Sequence, residues 1–113
     1  MGKECQKMRA KAKDPALIRL IGEFLKVYLP SIKNRDQDTI DSYRHSMNVY
    51  LHFLQDTQGL TLITVRSCDF CQKNIVSFLA WLREERGNVA TTINHRLSDI
   101  RGFCHYLMKK KAI

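Results

Sequence analysis

Five hydrogen-bonding side chains, Thr91, Thr92, Asn94, His95 and Arg96, stand within six residues in the stretch GNVATTINHRLSDIRGFCHYL, Gly87–Leu107. A helix start uses one or two such groups for capping. The surplus asks for a partner. Hydroxyls, an amide, an imidazole and a guanidinium would stand beside N–H groups that a helix start leaves without intrahelical partners. That set suits a polar, anionic partner. A solvated surface with a threonine N-cap is the plainer reading of the same residues.

Other chemistries find less support. His45, His52, His95 and His105 all fall inside helical patterns, and the sequence has no H-E-x-x-H, G-x-S-x-G or P-loop. Glu84 and Glu85 close a helix and read as solvated charge. A self-sufficient enzyme is therefore not expected. Cys68 and Cys71 have the C-x-x-C spacing of a zinc or redox half-site. A second ligand pair would have to come from Cys104 with His95 or His105, which have no recognisable metal spacing. Cys5, Cys68, Cys71 and Cys104 are read as buried thiols, with no metal and no other cofactor.

The elements that must position these residues belong to one domain, since 113 residues make a single core. Hydrophobic content of 44% against 27% charged residues is that of a globular chain and excludes disorder. No apolar run approaches a membrane span, and the N-terminus has no apolar centre, so a cytoplasmic protein without membrane contact is expected. The net charge of +8 sits in the tails. Residues 1–13 hold five basic residues against Glu4, and Lys109, Lys110 and Lys111 add three, leaving +1 for residues 14–108. Basic tails favour a polyanion.

Helical periodicity predicts four helices near residues 15–29, 39–56, 70–86 and 91–109, and no segment keeps β-type alternation. The first is expected to be capped by Asp14 and ended by Pro30, the second to be capped by Asp38 and closed by Gly59. The third carries a capping box in Asp69 and Gln72 and stops at Gly87. Leu17, Ile21, Phe24, Tyr43, Met47, Leu51, Phe78, Leu82, Leu97, Ile100 and Cys104 are the expected core. Trp81 is expected to cover the bundle edge. Asn94, Ser98, Arg101 and His105 line one flank of the last helix; His95, Asp99 and Tyr106 lie further round.

The order of these residues resembles the N-terminal core-binding domain of tyrosine recombinases, a family of phage and integron integrases, Xer-type recombinases and related transposases. The resemblance rests on Thr39 with Tyr43, on Phe78 with Leu82, on Gly87, and on the run T-x-N-x-R-L-x-x-I-R-x-F from Thr92 to Phe103, followed by Tyr106-Leu107. It implies an all-α fold, a compact SAM-like bundle of four main helices of the integrase N-terminal core-binding type. It also implies one jaw of a clamp on double-stranded DNA. The second jaw would be a separate C-terminal catalytic domain, and recombination would run through a tetramer of protomers on DNA.

On this reading residues 1–13 are a basic tail, 14–108 the DNA-binding domain, and 109–113 the start of a linker to the absent catalytic domain. None of Tyr28, Tyr43, Tyr50 and Tyr106 is then a nucleophile. The DNA contacts implied are Lys33, Arg35, Thr39, Ser42 and His45 around the second helix, and Thr91, Thr92, Asn94, His95 and Arg96 on the fourth, with Arg96 on phosphate. Asp36, Asp38 and Asp41 put acid at the same start as Lys33 and Arg35. The alternative is a helical protein-interaction module, which would expose an apolar patch of Val49, Phe53 and Trp81.

Overall fold

A computed structural model describes residues 15–61 and 64–110. The expected Asp14 cap, Cys5 and the basic tail lie outside the described residues. Four helices pack together, and no strand occurs among the described residues. They are α1 (Pro15–Glu23), continued by a π-helical stretch (Phe24–Ile32), then α2 (Gln37–Gln58), α3 (Gln72–Glu84) and α4 (Ala90–Lys109). A short 3-10 turn, Ser67–Asp69, precedes α3.

Pro30 does not end the first helix but sits inside its π-helical stretch. A proline ring crowds the carbonyl four residues back, and a wider turn moves that carbonyl away. The helix closes at Asn34, which takes a left-handed φ of 55° while the Arg35 N–H bonds to the Leu29 carbonyl at 2.8 Å. Gly59 (φ 68°) and Gly87 (φ 64°) repeat the device, with Leu60 N–H to Leu54 O and Asn88 N–H to Leu82 O. In each case a left-handed residue turns the next N–H back onto an otherwise unpaired carbonyl. Gly59 and Gly87 fall where the sequence placed them.

The caps differ from expectation at two starts. Asp36, not Asp38, caps α2: its backbone is extended and its carboxylate accepts the Thr39 N–H at 2.9 Å. Asp69 does not cap α3, which starts three residues later after Cys71. It is fully buried in the short turn and accepts the Arg66 N–H at 2.8 Å.

Two aromatic groups make the core. Phe24 packs on Tyr43, Phe103 and Tyr106 at ring separations of 5.5, 5.2 and 5.1 Å. Tyr50 packs on Phe70 and Phe78 at 4.8 and 4.9 Å, and Phe53 on Trp81 at 5.5 Å. Phe70 and Phe103, 5.1 Å apart, join the two groups. Such pairs add about 0.5–1.5 kcal/mol each beyond their burial. The buried Tyr50 hydroxyl donates to the Asp69 carbonyl at 2.6 Å, and Trp81 donates to Asp56 at 3.1 Å.

Of the expected core, Leu17, Phe24, Met47, Phe78, Leu82 and Ile100 are buried, and Ile21, Tyr43, Leu51 and Cys104 pack against them. Leu97 is only half-buried and stands outside that core. Val49, Phe53 and Trp81, which the alternative reading would expose together, are 6%, 2% and 7% exposed. The reason is the central place of α2, which touches the first helix, α3 and α4 and so buries more than one stripe.

Candidate nucleic-acid interface

The start of α4 has no side-chain cap. Its N-cap is Val89, in an extended conformation (φ −79°, ψ 164°), so neither threonine serves as the cap. The first backbone N–H groups point out of the helix end without an intrahelical acceptor. Around them Thr91, Asn94 and His95 are exposed and Thr92 is half-buried.

Arg96 is held differently. Its guanidinium donates to the Ser46 hydroxyl at 2.9 Å, and Ser46, fully buried, donates to the Asp99 carboxylate at 2.6 Å. Ser42 donates to the same Asp99 oxygen at 2.9 Å. Sequence reasoning named Ser42 and Arg96 as facing outward and passed over Ser46 and Asp99. The four form one polar network that ties α2 to α4, and a hydroxyl between a cation and an anion is well satisfied. The partners lie some fifty residues apart, so no local pattern announces the network.

Contacts run in opposite senses along the two helices. Ser46 meets Arg96, Ser42 meets Asp99, and Tyr43 lies against Gly102. The start of α2 therefore lies toward the C-terminal half of α4, and the start of α4 lies on the other side of the crossing. The nominated residues divide accordingly. Thr91, Thr92, Asn94 and His95 cluster at one end; Lys33 and Arg35 stand at the other; exposed His45 lies on α2 between them. Thr39 is half-buried, its N–H held by Asp36, which draws that carboxyl below its ordinary range.

Lys33 and Arg35 open onto a cleft of about 590 Å³ between the π-helical stretch, the start of α2 and the C-terminal half of α4. Arg101, His105 and Lys109 line its far side, and Tyr28 and Tyr43 its near side. Arg101 and His105 share the flank that helical spacing had already grouped. Gly102 forms the floor: a Cβ there would stand 3.0 Å from the Tyr43 hydroxyl. The Lys109 ammonium donates to the Tyr28 hydroxyl at 3.1 Å and lies 5.6 Å from the ring centre. Tyr106 donates to Glu23, which also pairs with Lys110 at 3.2 Å; the phenol is raised above its ordinary pKa by burial and then by that carboxylate.

Cys71 and Cys104 form no disulfide, and no group of three metal-ligating side chains occurs among the described residues. Burial, with nearby Cys71, pushes the Cys104 thiol up to about 11, and it donates weakly to the Phe70 carbonyl at 3.7 Å.

Four helices around a joined aromatic core, with α2 and α4 crossed at a polar network, make this an all-α domain of the SAM-like class. The chain belongs to the family described as phage integrase, N-terminal SAM-like domain, whose model it matches over residues 21–111. It is also 31% identical over 94 residues to a Caldanaerobacter subterraneus subsp. tengcongensis protein that carries the provisional name of a tyrosine recombinase. That match covers 83% of this chain and 30% of the relative, so the chain spans less than a third of the relative's length. No solved structure matches the chain.

Proposed function

We propose that this domain binds duplex DNA for a site-specific tyrosine recombinase, with the start of α4 directed into the major groove. The observation that carries the reading is the open helix start. It combines uncapped N–H groups with exposed Thr91, Asn94 and His95, in a chain of the integrase N-terminal family. Such an end offers donors to phosphates and to base edges. Strand cleavage belongs to a catalytic domain in the whole recombinase, and a tetramer on DNA is the assembly this reading expects. The burial of Val49, Phe53 and Trp81 counts against the patch nominated for an adaptor role, while Ile18, Val27, Ile32, Val76, Val89 and Met108 stay exposed.

Titration against cognate and scrambled duplexes tests it. His95→Ala is expected to cost about 1–3 kcal/mol on the cognate site and far less on scrambled DNA. Equal, undiminished affinity of wild type and His95→Ala for both duplexes would remove α4 from the interface. Incubation with supercoiled plasmid should leave no covalent adduct; one trapped on any of the four tyrosines would overturn the division of labour.

A further inference from the structure

The cations of the cleft are not matched by carboxylates in its walls. Among the described residues, Lys33, Arg35 and Arg101 make no ion pair, and no carboxylate lines the cleft. Five basic side chains thus converge on one opening, two from the turn after the π-helical stretch and three from α4. Asp36 beside Arg35 offsets one of these charges, no wall residue offsets the others, and a bound polyanion relieves the repulsion that remains. The walls are not purely ionic. Phe24 and Leu29 lie beneath, and the Tyr43 phenol, kept protonated by burial and by the Asp99 carboxylate, adds a neutral donor. Apolar floor, hydroxyl donors and a cationic rim match a sugar-phosphate strand, which presents a deoxyribose face and a charged edge together.

Position argues for the same ligand. His105 follows His95 by ten residues, about 15 Å along a helix axis at 1.5 Å per residue. The major groove is about 12 Å wide. A helix whose start enters that groove therefore carries its C-terminal half to the groove wall, where the backbone runs. Arg96, the residue that sequence reasoning put on phosphate, is meanwhile engaged by Ser46.

We propose that the cleft between the π-helical stretch and α4 is a docking site for the DNA sugar-phosphate backbone flanking the groove, and that Lys33, Arg35 and Arg101 carry the phosphate contacts. The inference rests on the DNA-binding reading above and deepens it. Base discrimination then belongs to one end of α4 and electrostatic grip to the other.

The test compares the wild-type chain with the triple variant Lys33→Gln, Arg35→Gln, Arg101→Gln, all exposed positions, after circular dichroism has checked that the variant is folded. Lys73→Gln on α3 is the control. The logarithm of duplex affinity falls with the logarithm of salt by about 0.9 per phosphate contact. The triple variant should flatten that slope by roughly two to three units on cognate and scrambled DNA alike, and the control should not. Neutral methylphosphonate linkages in the flanking backbone should erase the difference between wild type and triple variant. An unchanged slope in a triple variant that still binds would overturn the cleft assignment alone. Wild type that binds no duplex at low salt would overturn both this and the DNA-binding reading.

Discussion

The starts of α2 and α4 share a backbone and differ in what is hung on it. Asp36 and Val89 occupy the two N-caps with φ of −80° and −79° and ψ of 173° and 164°. At α2 the polar groups are turned inward on the helix: Asp36 takes the Thr39 N–H, and Gln37 and Arg44 both donate to Asp41. At α4 an apolar residue leaves the same N–H position open, and the nearest polar side chains point to water. A carboxylate cap stabilises a helix and repels an anion at the same place. The chain therefore keeps one start for stability and leaves the other available.

The largest expected effect tests what holds the open start in place. Asp99→Ala removes the acceptor of both the Ser42 and Ser46 hydroxyls, leaving Ser46 with Arg96 alone, and should cost about 2–3 kcal/mol in a urea melt. An unaltered midpoint would mean the network does not tether α4 to α2. Val89→Asp makes the two starts alike. It should stabilise the fold by about 1 kcal/mol while weakening duplex binding at low salt; tighter binding would reverse the comparison.

Acid separates the starts by another route. The Asp36 carboxyl is held below its ordinary 3.8, first by the Thr39 backbone N–H. A folded pKa below the unfolded one means the cap contributes above pH 3.8 and is lost as pH falls through the lower folded value. The Thr39 amide signal should shift in that acid window, whereas the Thr92 amide, with no carboxylate cap, should not. Smallest of all, Asp41→Asn removes the exposed pair with Arg44 and should change stability by no more than about 0.5 kcal/mol. A larger loss would show that the start of α2 depends on more than its cap.

Helix number and order and the two glycine stops were legible because apolar spacing and a left-handed glycine act locally: Gly59 and Gly87 are stops in sequence and structure alike, whereas Pro30 is not. The cap residues were not, because the choice between Asp36 and Asp38 depends on where the Asn34 turn leaves the backbone extended. The burial of Phe53 and Trp81 depends on α3 covering a second face of α2, which a single stripe does not reveal. Of the nominated interface, the polar cluster at the start of α4 could be read from residue types alone. The engagement of Arg96 with Ser46 could not, because the partner sits on another helix and is itself an inconspicuous serine. The cleft needed three segments brought together, only one of whose residue pairs, Arg101 and His105, shared a helical spacing.

Pro30 has a reach beyond its own turn. Backbone geometry aims Lys33 and Arg35, which follow the proline in exposed chain and make no side-chain hydrogen bond among the described residues. The ring behaves as a shim: by keeping the stretch from Phe24 to Ile32 wound one residue wider per bond, it sets the rotational phase at which the two cations emerge. A substitution such as Pro30→Ala would let the segment tighten into an ordinary helix and swing both charges around its axis. The surface would keep its charge and lose its aim.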